Sequence, residues 1–219
     1  MDKRSILKRF LYFLLAFLIF YIEQIPTIYL GVKDTRLVCL LVVVSLLISI
    51  GALFLGIRLG LFEGFKSLSS LKAWGKIGLT YLGIYIITRI GTIVMMMEGV
   101  SNSTNQAAIE NAHMNPFLLI TFTVIMAPIV EELVFRGLLG RVFNPDSIVG
   151  LIVSSLLFGL VHMPNSIGVW IVYAGMGLAL GIAYRKFQKL EYCIMAHIIN
   201  NSIAVSMLLL LQFLAPYIK

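Results

Sequence analysis

The chain has 219 residues, 60% of them hydrophobic and 12% charged, with a mean hydropathy of +0.99. A soluble domain is typically about 45–50% apolar and about 25% charged, so this balance excludes a water-soluble globular protein and marks an integral membrane protein. The net charge of +7 does not point to nucleic acid, because the basic residues lie at the ends of apolar runs, where topology signals sit.

The N-terminal "MDKRSILKRF" resembles the basic start of a signal peptide, but the apolar run continues through "LYFLLAFLIFYI" to Glu23 and Pro26 without a small-residue cleavage site. It is expected to be a retained first span. A helix needs about 20 apolar residues to cross about 30 Å of hydrocarbon. Spans are expected near 9–30, 37–57, 75–97, 117–140, 148–163, 167–185 and 191–212, the fifth short enough to be re-entrant. The expected fold is therefore all-α, a polytopic transmembrane helical bundle of about seven spans. Residues 58–74, with Arg58, Lys66 and Lys72 among apolar positions, read as an interfacial amphipathic helix and loop. Residues 98–115 form the longest polar stretch and contain no Lys or Arg.

A cytoplasmic N-terminus puts 13 Lys and Arg residues inside and 3 outside (Lys33, Arg36 and Lys219), with Arg89 left within a span. That bias sets the N-terminus in and the C-terminus out. Cys39 and Cys193 have neither disulfide nor metal-ligand spacing and read as small buried apolar residues. "GMGLALG" at 175–181 follows no strand, so it is a small-residue packing stripe and not a phosphate loop. One membrane domain over 1–219 is expected, with no repeat to suggest the halves of a transporter.

Charged residues at bilayer depth are costly and mark function or a paired contact. In "PIVEELVFRG", Glu132 and Arg136 are four apart on one helical face and can pair. Glu131 lies about 100° away round the helix, leaving a carboxylate free to act as a base. Pro128 removes a backbone N–H just before the glutamates and is expected to open the helix there. In "FGLVHMP", Phe158 and His162 stack four apart. In "CIMAHIINNSIAVS", His197 and Asn201 share a face with Asn200 beside them, either as packing glue or as donors to an oxyanion. Arg89 is expected to snorkel or to pair with a carboxylate, and Glu23 to lie near the outer end of the first span. Glu, Glu, His and His, with Arg and Asn, on three helices make an inventory suited to activating water.

Taken together, Glu131-Glu132-x-x-x-Arg136, Phe158-x-x-x-His162 and His197-x-x-x-Asn201 resemble the three-motif signature of the CAAX protease and bacteriocin-processing (CPBP, Abi or Rce1-type) intramembrane proteases, over roughly residues 115–212. The resemblance implies a catalytic core over 115–212 and family-variable spans over 1–100. It implies that Glu131 is the general base, that His162 holds the water with it, and that His197 and Asn201 stabilise the oxyanion. Glu132 and Arg136 are then a structural pair, with Phe158 and Asn200 supporting the site. No cofactor is expected; zinc on Glu131, His162 and His197 is the alternative, although no H-E-x-x-H is present. The implied partners are the lipid bilayer and a peptide or lipidated-protein substrate. The implied roles include bacteriocin self-immunity, peptide processing and CAAX-type processing in a bacterial plasma membrane. A non-catalytic immunity or scaffold protein and a proton-coupled transporter are the competing readings.

Helical rise places Glu131 roughly 9–14 Å, His197 roughly 9 Å and His162 roughly 21 Å from the cytoplasmic ends of their spans. Convergence therefore demands that the fifth span tilt or begin deep, with "RVFNPD" at 141–146 as its entry. The resulting chamber is expected near mid-depth, opening to the cytoplasm.

Overall fold

The computed structural model describes residues 3–29, 31–143, 147–214 and 217. Lys219 and the 144–146 part of the "RVFNPD" entry lie outside the described residues. Helix α1 covers Lys3–Gln24 and runs on into a tight turn, Ile25–Tyr29, around buried Pro26. Helix α2 covers Thr35–Arg58 and is capped by the Asp34 carboxylate, which accepts from Leu37 N–H. Helix α3 covers Leu71–Met97, and a short α4 covers Thr104–Asn111, capped by Ser103. Helix α5 is the long helix Pro116–Phe143; α6 is Ile148–Val161, α7 is Ile167–Phe187 and α8 is Leu190–Leu214. Among the described residues, six helices are long and apolar enough to cross a membrane, and α6 is the shorter apolar helix.

These bounds follow the expected spans closely, with two departures. The 58–74 stretch is not one amphipathic helix: α2 stops at Arg58, α3 begins at Leu71, and between them only Phe65–Leu68 makes a helical turn. Gly60 and Gly64 carry positive φ values of 64° and 93°, backbone states that break a helix between them. Conversely, the polar 98–115 stretch contains α4, nucleated by its serine cap rather than by apolar periodicity.

α5 is the axis of the bundle, with 72% of its apolar window buried against 6% for the first span. α1 runs antiparallel beside it, and Phe20 meets Phe135 edge-on at 6.1 Å. At one end of the bundle Arg141 of α5 donates to the Leu59 carbonyl and to the Tyr12 hydroxyl. Glu63 N–H donates to the Glu191 carboxylate there, and Lys76 lies over the Phe187 and Tyr192 rings. This is the basic end that the charge bias assigns to the cytoplasm. At the other end Lys33 donates to the His113 carbonyl, and Glu98 accepts from the first N–H groups of α7. Cys193 is buried, whereas Cys39 is exposed on α2, so only one of the two is a core residue.

α3, α6 and α7 meet through small residues, as the 175–181 stripe suggests. A Cβ on Gly177 would lie 3.1 Å from Ser155 Cα, and one on Gly168 only 2.4 Å from Met95 N. The helices therefore touch backbone to backbone, the closeness that drives association where lipid removes the hydrophobic contrast. Gly168→Ala should push α3 and α7 apart and cost about 1–3 kcal/mol, read as a lower melting midpoint in detergent. A methyl group on Gly78 would meet nothing within 4 Å, so Gly78→Ala should leave the midpoint unchanged or raise it. Equal effects from the two substitutions would refute the close crossing.

Candidate active site

The site begins with a defect in α5. Its 120–126 and 133–138 segments are wound as wide π-turns, a form that collects at functional sites. Ala127 N–H reaches back five residues to the Phe122 carbonyl. The next residue, Pro128, has no N–H to offer. The Thr123 carbonyl is thus left without a backbone donor, and Asn201 Nδ2 on α8 supplies one at 2.9 Å. The opening expected at Pro128 is present, and it is what ties Asn201 into place.

Four residues on, Glu131 and Glu132 leave the helix in different directions. Glu132 is fully buried; its Oε2 lies 3.2 Å from Arg136 Nε and its Oε1 3.0 Å from His197 Nδ1. Arg136 also donates to the Gly177 carbonyl at 3.0 Å and lies 4.6 Å over the Phe158 ring. The expected Glu132–Arg136 pair is real, but it has a third member: Glu132 also orients the His197 imidazole. Because the carboxylate accepts, His197 Nδ1 carries the proton and Nε2 is turned toward Glu131.

Glu131 makes no ion pair with Arg136. Its Oε2 lies 3.8 Å from His197 Nε2 and its Oε1 3.9 Å from His162 Nε2. His162 is held in turn by its own Nδ1, which donates to the Phe158 carbonyl at 2.7 Å. The Phe158 ring lies 4.8 Å from the His162 ring and 5.9 Å from that of His197. α6 is only 14 residues long and ends at this point, with Met163 in the left-handed region at φ 50°. The short helix delivers His162 to the depth of Glu131. All four residues expected to act (Glu131, His162, His197 and Asn201) therefore converge. Asn200 supports them, donating to Asn201 Oδ1 at 3.1 Å.

Around them lies a cavity of about 700 Å³ that also reaches Ser103, Asn105 and Gln106. These residues belong to the polar stretch at the end opposite the basic one. The expectation of a cytoplasmic opening is thereby corrected: the chamber extends toward the face that the charge bias places outside. Depth counting missed this because the 98–111 segment folds back over the bundle instead of trailing from it.

Three contributors were not read as part of the site. Tyr173 of α7 stacks on His162 at 4.2 Å and 17°, and its hydroxyl meets Ser103 Oγ and Asn105 Nδ2 at 3.2 and 3.3 Å. Glu98 accepts from Ile167 and Gly168 N–H at 3.1 and 2.9 Å, fixing the start of the helix that carries Tyr173. Glu23 of α1 is buried and lines the cavity with Glu131. Arg89 also lines the cavity, but its contact is with the Tyr85 ring at 5.6 Å, not with a carboxylate. Tyr173 and Glu98 carry no local sequence signal, because their hydrogen-bond partners lie more than 60 residues away.

Glu131, His162 and His197 are the side chains a zinc site would use. Among the described residues, no group of three or more His, Cys, Asp or Glu is arranged to hold a metal ion.

Residues 113–203 match the family model described as type II CAAX prenyl endopeptidase Rce1-like. The membrane-embedded CAAX protease MroQ of Staphylococcus aureus (strain USA300) is 28% identical to the chain, over 92% of the chain and 87% of the relative. The UPF0177 protein YaiH of Lactococcus lactis subsp. lactis (strain IL1403) is also 28% identical, over 92% of the chain and 90% of the relative. Both alignments extend beyond the region of the family model into the N-terminal spans. No solved structure matches the chain significantly.

Glu98 provides a pH test of the α7 anchor. The Gly168 N–H, with Ser166 and Ile167 beside it, holds the Glu98 carboxyl below its usual range. A carboxyl held low adds stability above the ordinary carboxylate range and loses it as pH falls through the lowered value. Glu98→Gln should therefore lower the melting midpoint at neutral pH, and the gap to the parent protein should close under acid conditions. A gap that does not change with pH would show that the charge is not what anchors α7.

Proposed function

We propose that the chain is a CAAX protease and bacteriocin-processing type membrane protease, and that it hydrolyses peptide bonds inside its chamber with Glu131 as general base. The observation that carries this reading is the convergence of two imidazole Nε2 atoms on the two oxygens of one carboxylate, at 3.8 and 3.9 Å. Both separations are too long for a direct hydrogen bond and suit bridging by water.

The chemistry follows from the orientation of each group. Glu131 takes a proton from a water held between it and His162, and the water oxygen bonds to the peptide carbonyl carbon as the carbonyl π electrons move to oxygen. Asn201 spends one Nδ2 hydrogen on Thr123 and has the second for the oxyanion. His197, held through Nδ1 by Glu132, turns Nε2 toward the same oxygen, which an Nε2–H would stabilise. When the intermediate collapses, the C–N bond breaks and the amine leaves with the proton held by Glu131. Arg136 neutralises Glu132, so that the only uncommitted charge of the pair is Glu131.

The substrate class is a membrane-associated peptide, hydrophobic or lipidated, because the chamber lies between apolar spans. The water activation is metal-free, zinc on Glu131, His162 and His197 being the alternative. Self-immunity to a bacteriocin and the processing of peptide precursors are the biological settings this activity fits.

The test uses purified protein in proteoliposomes with a panel of hydrophobic and lipidated peptides, read by mass spectrometry. Glu131→Gln should lower turnover about 10²–10⁴-fold, and His197→Ala should lower it about 10²–10³-fold. Full activity in both variants would overturn the reading. Activity should survive chelation; loss on chelation with recovery on added zinc would instead establish the metal mechanism.

A further inference from the structure

The described residues include four buried glutamates: Glu23, Glu131, Glu132 and Glu191. Three have partners. Glu132 holds Arg136 and His197, Glu131 faces His162 and His197, and Glu191 accepts from Glu63 N–H at 2.6 Å. Glu23 is 1% exposed, its Oε2 has no hydrogen-bond partner, and it makes no ion pair with any described residue.

Its position follows from the antiparallel packing of α1 on α5. Phe20 meets Phe135, and Glu23 is three residues on from Phe20 along α1, while Glu131 is four residues back from Phe135 along α5. Steps of three and four stay on one helix face, so the two carboxyl groups are brought to the same level. Both line the chamber. Glu23 belongs to the first span, outside the residues of the family model.

A buried carboxylate is costly unless a cation or donors satisfy it, and more so beside another acid. Among the described residues, no cation forms an ion pair with Glu23. Arg136 is committed to Glu132 and the Gly177 carbonyl, and Arg89 rests on the Tyr85 ring. Within the reading of the chamber as a peptidase site, we propose that Glu23 is a specificity-determining residue that accepts a cationic group of the peptide, placed beside the scissile bond. The group is either a lysine or arginine side chain or a free peptide amino terminus. A cation seated there is paired by Glu23 and drawn further by Glu131, whereas an uncharged peptide leaves Glu23 unpaired. Discrimination therefore comes from the cost of leaving a buried polar group without its partner.

The test measures binding, so it does not depend on turnover. Three fluorescent hydrophobic peptides are titrated onto Glu131→Gln protein in nanodiscs: N-acetylated with one lysine, N-acetylated with norleucine in its place, and norleucine with a free amino terminus. The lysine peptide, the free-amine peptide or both should bind about tenfold tighter than the acetylated norleucine peptide, and which does so identifies the source of the cation. Adding Glu23→Gln should make all three bind alike, and Glu23→Asp in its place should retain the preference. Three results would overturn the proposal: no preference in the Glu131→Gln protein, a preference that survives Glu23→Gln, or equal loss of all binding with Gln and Asp, which marks a structural role. Failure of the peptidase reading shows separately, as cleavage that is absent or independent of Glu131 in the parent protein.

Discussion

Glu132 is buried in the middle of a membrane protein, and each of its oxygens faces a different nitrogen, Arg136 Nε on its own helix and His197 Nδ1 on α8. An ionised carboxylate at this depth is tolerated only when its charge is matched and its lone pairs are engaged. Meeting that condition organises the surrounding helices. Arg136 must come close, and its Nη2 then reaches the Gly177 carbonyl, which is accessible because α7 presents glycine where it crosses α6. Phe158 closes the arrangement from α6, with the guanidinium over its ring and both imidazoles at its edge or face. One carboxylate thereby joins α5, α6, α7 and α8. Removing it would leave Arg136 and His197 facing hydrocarbon, which costs more than the pair itself contributes.

The second constraint is the interrupted ladder of α5. Pro128 and the π-turns on either side leave the Thr123 carbonyl unsatisfied within its own helix, a state that lipid does not forgive. Asn201 repairs it from α8. The repair also fixes the amide at the wall of the chamber, so that one side chain serves both the backbone deficit and the site. The expected roles of proline as helix-opener and of asparagine as oxyanion donor are in this way two ends of one interaction.

Much of this was legible in the sequence because it is local. The spans follow from runs of apolar residues, and the Glu132–Arg136 and Phe158–His162 pairs follow from four-residue spacing. Most of what failed was not local, the exception being a glycine effect within one segment. The 58–74 stretch has helical apolar spacing, but two glycines in positive-φ states override it. The side on which the chamber opens depends on how residues 98–111 fold back, and no periodicity records that. Glu23 lies near the C-terminal end of its helix, yet its relation to Glu131 depends on α1 lying antiparallel to a helix more than 100 residues later. The second partner of Glu132 was missed for the same reason, His197 being 65 residues away.

The mouth of the chamber and the cluster around Glu131 share a part. The Tyr173 ring lies flat on His162, while its hydroxyl meets Ser103 and Asn105 at the start of α4. Ser103 is also the cap of α4, accepting from Gln106 N–H, and Gln106 lines the cavity. At the same level Glu98 holds the first turn of α7, the helix from which Tyr173 projects. A peptide entering past α4 thus meets polar groups bonded to the very ring that sets the angle of His162. The position of His162 is therefore determined from two directions: from within by the Phe158 carbonyl, and from the chamber mouth by Tyr173. A water between His162 and Glu131 would inherit both constraints, the preorganisation that the proposed general-base attack requires.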